Sequence, residues 1–132
     1  MMLRSVVLVV LTVLVILALC ACGTQVTRLG KADAGKSVEL GVGNKLEIVL
    51  EGNPTTGYSW EVGSVDETVL KLAGEPEFKS ESRAVGAGGV FTFRFEAVAA
   101  GQTALQLIYH RPFEKDTPPI ETFEVSVAVK QR

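Results

Sequence analysis

The chain has few of the groups that perform chemistry. Its 132 residues include one histidine, one tryptophan and two cysteines. Both cysteines, Cys20 and Cys22, precede the body of the chain. No internal disulfide can form there, and a catalytic thiolate is excluded from it. The single histidine, His110, sits beside Arg111, whose cation opposes protonation of the imidazole, and no Gly-x-Ser-x-Gly elbow is present. One histidine without a cluster cannot build a His-rich zinc site, so no metal is expected. Asp66, Glu67, Glu75, Glu77 and Glu81 fall at turns and exposed strand positions, where carboxylates are solvated surface, and nothing selects a catalytic pair among them. The net charge of −2 and the absence of a basic run argue against nucleic acid. The glycines at 86, 88 and 89 lead into an alternating stretch, not a helix, and no Gly-Lys-Ser/Thr follows, so they do not read as a phosphate cradle. Neither an enzyme nor a cofactor is expected.

Long apolar runs are also missing, except at the start. Arg4 precedes an apolar run from Val6 to Leu19, broken only by Thr12. Its length suits a signal-peptide core and falls short of the roughly 20 residues that span a bilayer; a transmembrane anchor is the competing reading. "LCAC", Leu19 to Cys22, resembles the bacterial lipobox, with Leu19 at −3 and Ala21 at −1 before an acylated Cys22. Cys20 is the alternative lipid site, with Leu17 three before it but bulky Leu19 at −1. The expected organisation is a lipoprotein signal peptide over 1–21, a lipidated Cys22 and polar tether over 22–36, and one domain over 37–132. Membrane contact through lipid would place it in a bacterial cell envelope, facing the periplasm or exterior.

No segment after residue 36 keeps a helical apolar period. Short alternating runs dominate. "KSVEL", "KLEIVL", "YSWEV", "VLKLAG", "VFTFRFEAV", "QTALQLIYH" and "ETFEVSVAVK" follow at even spacing with turn residues between them. The pattern predicts an all-β fold, an Ig-like antiparallel β-sandwich of seven to eight strands. Phe91, Phe93 and Phe95, with Trp60, are expected at the core's centre.

Three loops then stand out. In Asn53-Pro54-Thr55-Thr56-Gly57, proline fixes φ and glycine permits φ > 0, which makes a stiff turn tipped with two small hydroxyls. Gly86-Ala87-Gly88-Gly89 lets backbone approach a partner closely. Arg111-Pro112-Phe113 sets a cation and an aromatic at a rigid bend. In an Ig-like order all three emerge at one end of the sandwich.

These motifs, in this order, resemble the chagasin-type inhibitors of papain-like cysteine peptidases, whose signature is an NPTTGY-x-W loop, a G-x-G-G loop and an RPW or RPF loop. Asn53 to Trp60 matches the first without a mismatch, and the resemblance covers roughly Ser37 to Lys130. Phe113 stands where tryptophan is common; it keeps an aromatic face and lacks the indole donor. The resemblance implies an inhibitor, and a monomer is expected. Its threonine loop, Asn53, Pro54, Thr55, Thr56, Gly57 and Tyr58, enters the peptidase cleft. Gly86, Ala87, Gly88 and Gly89 flank it on one wall, and Arg111, Pro112 and Phe113 on the other. Trp60 reads as structural support at the base of the first loop. A structural or adhesive Ig-like envelope protein, binding another protein or a carbohydrate, is the alternative.

Overall fold

The computed structural model describes residues 2–18 and 23–132. Met2–Ala18 is a 17-residue helix, α1. Among the described residues no helix is long and apolar enough to cross a membrane. The lipobox, with Cys20 and Cys22, lies outside the described residues.

Nine strands follow: β1 Val26–Leu29, β2 Ser37–Gly41, β3 Lys45–Gly52, β4 Ser59–Ser64, β5 Leu70–Leu72, β6 Glu77–Ser80, β7 Gly89–Ala97, β8 Gly101–His110 and β9 Glu121–Lys130. They form two sheets. One runs β1-β3-β7-β5, with β6 also pairing β7; the other runs β2-β9-β8-β4. This is the expected Ig-like sandwich, with two strands more than the seven runs seen in the sequence. β1 lies inside the stretch expected to be a tether, where it pairs with β3 over Val26–Leu29. β6 is exposed at all four positions, so it carries no alternation to detect. Two pairs, β1–β3 and β2–β9, are parallel. Neither is joined by a hairpin, so no tight turn imposes antiparallel pairing on these edge strands.

Period-2 patterning builds the core. Leu46, Ile48 and Leu50 of β3 face Phe91, Phe93 and Phe95 of β7, and β8 and β9 supply Leu105, Leu107, Phe123, Val125, Val127 and Val129 from the other sheet. Phe93, Phe95 and Phe123 are the largest fully buried side chains. The centre is therefore two phenylalanines of β7 and one of β9, while Trp60 and Phe91 lie toward one end. Truncating a buried Phe in such a core costs about 3–5 kcal/mol.

Strand registers define two poles. Gly52 pairs with Gly89, Ser59 with His110 and Tyr109 with Glu121, so the β3–β4, β6–β7 and β8–β9 connections meet at one pole. Lys45 pairs with Glu96, Leu70 with Ala97, Gly101 with Val129 and Gly41 with Lys130, which places the 42–44 and 98–100 turns at the opposite one.

Candidate functional site

The β3–β4 connection is a closed turn. Pro54–Thr56 forms a single 3-10 turn, with Asn53 as its N-cap and Gly57 ending it at φ 86°. Asn53 Oδ1 accepts from the Thr55 amide at 3.1 Å and from Thr55 Oγ1 at 2.6 Å. Thr56 Oγ1 donates to the Asn53 carbonyl at 2.6 Å. The Thr56 and Gly57 amides donate to the carbonyls of Asn53 and Pro54. Both hydroxyl protons are thus committed within the turn. Outward, the exposed threonines present methyl groups and oxygen lone pairs, not nucleophiles poised by a base.

Asn53 also reaches sideways. Its Nδ2 donates to the Gly86 carbonyl at 2.9 Å, tying the first loop to the second. Its backbone amide donates to Tyr109 Oη at 2.9 Å. The second loop divides in two. Gly86 has φ 78° and open space around it, and the neighbouring Val85 side chain is fully exposed. Internal packing requires Gly89, where a Cβ would collide with the Lys79 carbonyl and lie 2.8 Å from Ser80 Cα, and crowds Gly88, where one would lie 3.2 Å from the Gly52 carbonyl. Ala87 is half-buried between these halves, its amide donating to the Ala84 carbonyl at 3.2 Å.

The third loop leans on the first from the opposite side. The Arg111 guanidinium lies 4.5 Å from the Tyr58 ring centroid, and its Nη1 meets Glu114 at 3.2 Å. Arg111 Nε is shut off from solvent without a hydrogen-bond partner, and the ring face supplies its cation–π contact. Phe113, one residue past Pro112, is 70% exposed, yet its ring edge would be 3.2 Å from a Cβ at Gly57. The ring edge therefore lies against Gly57 while most of the ring stays exposed.

Beneath the loops runs an aromatic column. Trp60 is 4% exposed and its indole N–H donates to the Glu51 carbonyl at 2.9 Å, clamping together the strands on either side of the first loop. Trp60 stacks on Tyr109 at 5.0 Å, and Tyr109 meets Tyr58 at 5.4 Å. Trp60 accordingly holds the base of the loop. Sequence reasoning missed Tyr109 and Val85 as parts of this arrangement. Nothing local in the sequence signals that Tyr109 touches Asn53, 56 positions away. His110 is engaged by Glu61 at 2.8 Å across β4 and β8, in keeping with a structural histidine.

The loop residues singled out in the sequence thus converge on one pole, with the threonine turn in the middle. Comparison with known proteins identifies the family. The chagasin family peptidase inhibitor model matches residues 39–127. Chagasin from Trypanosoma cruzi is 36% identical over 100 residues, covering 72% of this chain and 90% of that protein. The crystal structure of a cysteine protease inhibitor from Entamoeba histolytica superposes with a TM-score of 0.73 at 23% identity, covering 81% of this chain and 97% of that one. The Leishmania mexicana ICP structure matches with a TM-score of 0.58 at 32% identity, covering 74% and 90%.

Proposed function

The chain belongs to the chagasin family of peptidase inhibitors, and from that premise we propose that its three loops block the cleft of a papain-like cysteine peptidase by occupancy. Membership makes it an inhibitor and not an enzyme, and decides against the structural or adhesive alternative. The observation that carries the mode of action is the double tie of the threonine turn, through Asn53 to Gly86 on one side and through Gly57 to Phe113 on the other. In this reading Thr55 and Thr56 lie nearest the enzyme's cysteine and histidine. Val85, Gly86 and Ala87 lie along one wall, and Arg111, Pro112 and Phe113 along the other. Gly88 and Gly89 set the loop's path.

The turn also resists being cut. Peptidases take extended backbone, whereas here the Asn53 and Pro54 carbonyls are already bonded within a 3-10 turn. Ordering was completed on folding, so association loses little further entropy. At an interface of standard size, about 800 Å² per partner, nanomolar affinity corresponds to about −12 kcal/mol. The test is titration of residues 23–132 against papain and a cathepsin L-like enzyme. Inhibition below ~1 µM is expected, and its absence overturns the reading.

The same chain reads as a bacterial lipoprotein of the cell envelope. The apolar run to Leu19 and the "LCAC" sequence support this, with Cys22 carrying the lipid. Cys22→Ser should abolish lipid labelling; persistent labelling would assign the lipid to Cys20.

A further inference from the structure

The described chain enters the sandwich at the end opposite its three loops. Arg132 Nη2 donates to Asn44 Oδ1 at 2.6 Å and to the Gly23 carbonyl at 3.1 Å. The Gln25 amide donates to the same Asn44 Oδ1 at 3.3 Å, and the Gln25 carbonyl accepts from the Lys45 amide at 2.8 Å. Asn44 itself is 8% exposed. The chain is thus bound to the sandwich from Gly23 onward, and it enters at the 42–44 turn. β3 carries eight residues from that turn to the threonine loop, a separation of roughly 25 Å at ~3.3 Å per residue. The stretch expected as a polar tether is folded down from Gly23 onward, which leaves a lipid on Cys22 one peptide bond from the fixed segment.

We infer that the pole formed by the 42–44 and 98–100 turns faces the lipid surface, and that an anchored copy points its three loops away from the bilayer, toward a soluble peptidase arriving from the aqueous side. The proposal rests on the reading of Cys22 as the lipid site. Two of that pole's turns, Val42-Gly43-Asn44 and Val98-Ala99-Ala100, carry no charge, and Val98 is 40% exposed; the third connection, 65–69, adds the exposed carboxylates Asp66 and Glu67. A peptidase embedded beside the inhibitor in the same leaflet would meet the flanks of the sandwich and miss the loops. One approaching from solution meets the loops first.

Every residue of the buried core among the described residues lies between Leu29 and Val129, so residues 22–132 carry the folding unit. Cys22 is the only cysteine of that stretch. Its thiol can be coupled to a maleimide phospholipid in phosphatidylcholine nanodiscs that carry a nitroxide-headgroup lipid, and paramagnetic broadening read amide by amide. The expected result is broadening at 42–44 and 98–100 about fivefold or more above that at 53–57 and 111–113, given the roughly 25 Å between poles. Equal or greater broadening at the loops overturns the inference. Arg132→Ala should weaken broadening at the 42–44 turn while the signals of 46–50 keep their positions. Unchanged broadening would show that the Arg132 contact does not hold the anchor segment. The readout involves no peptidase, and coupling is chemical. Failure of inhibition, or of native lipid labelling at Cys22, is therefore seen separately.

Discussion

The molecule makes the same turn twice, and only one copy lies at the loop pole. At Asn53, Oδ1 accepts from the amide and hydroxyl of Thr55 at 3.1 and 2.6 Å; at Asp66, Oδ1 accepts from the amide and hydroxyl of Thr68 at 3.0 and 2.6 Å. The backbone amide of Asn53 donates to Tyr109 Oη and that of Asp66 to Thr103 Oγ1, each at 2.9 Å and each to a hydroxyl on β8. In both, the amide three residues on donates to the capping residue's carbonyl. The difference between the two capping side chains is one atom. Asn53 keeps a donor, Nδ2, and spends it on the Gly86 carbonyl; a carboxylate has none to give. The cap alone needs only an acceptor, so the amide at 53 is there to join loops.

The largest expected effect separates a turn that meets a partner from one that does not. Replacing Thr55 and Thr56 by arginine and glutamate should raise the inhibition constant by about 100-fold or more, equivalent to ~2.7 kcal/mol. Tm should stay within a few degrees, because both side chains are exposed. Thr68→Arg should leave inhibition within about twofold. A matching loss from both turns, or a collapse of the fold, would end the distinction.

Next is the exchange of the capping residues. Asn53→Asp keeps the acceptor, removes the donor and sets a carboxylate against the Gly86 carbonyl. A charged group facing an acceptor costs about 1–3 kcal/mol, so inhibition should weaken about tenfold at neutral pH and recover in part as the new carboxyl protonates in acid. Asp66→Asn retains its acceptor and should leave inhibition unchanged. Equal inhibition by Asn53→Asp and the wild type would remove the amide's joining role.

Much of the first turn was legible because its signals are local. Pro54, Gly57 and the polar residues between them fall within five positions, and the φ of 86° at Gly57 is what a glycine there allows. The alternation of β3, β7, β8 and β9 was equally plain, since each buries one face. What stayed hidden is long-range or unpatterned. The Arg111 contact with Tyr58 and the Tyr109 contact with Asn53 join residues 53 and 56 positions apart. β6 buries neither face, and β1 is a short edge strand lost in a polar stretch. Gly86-Ala87-Gly88-Gly89 read as one stretch of backbone offered to a partner, yet its second half is crowded by backbone contacts that only the fold creates.

Two glycines probe how firmly each loop is set. Gly57 and Gly86 both have φ near +80°. Gly57→Ala adds strain and pushes a methyl 3.2 Å from the Phe113 ring, so it should cost about 1–2 kcal/mol and loosen the third loop. Gly86→Ala meets nothing within 4 Å; the loop can absorb it locally, with about 1 kcal/mol lost. Denaturant midpoints of the two variants measure the contrast.

The smallest effect is a pH dependence that only one turn can have. Hydrogen bonds from Thr68, first its side chain and then its amide, lower the pKa of Asp66 from 3.8. A carboxylate whose folded pKa is depressed contributes stability that is full above its unfolded value and lost as pH falls through the folded one. The neutral Asn53 turn has no such term. Asp66 is fully exposed, so its share of acid destabilisation is small. Asp66→Asn should leave Tm near neutrality almost unchanged and make the loss of Tm in acid slightly shallower. Asn53→Asp should add a pH-dependent term of its own, and its sign reports the balance between the Thr55 hydrogen bonds and the facing Gly86 carbonyl. A steeper acid loss means that the threonine bonds outweigh the facing Gly86 carbonyl. A shallower one means that the carbonyl dominates, which is the outcome the tenfold loss of inhibition requires.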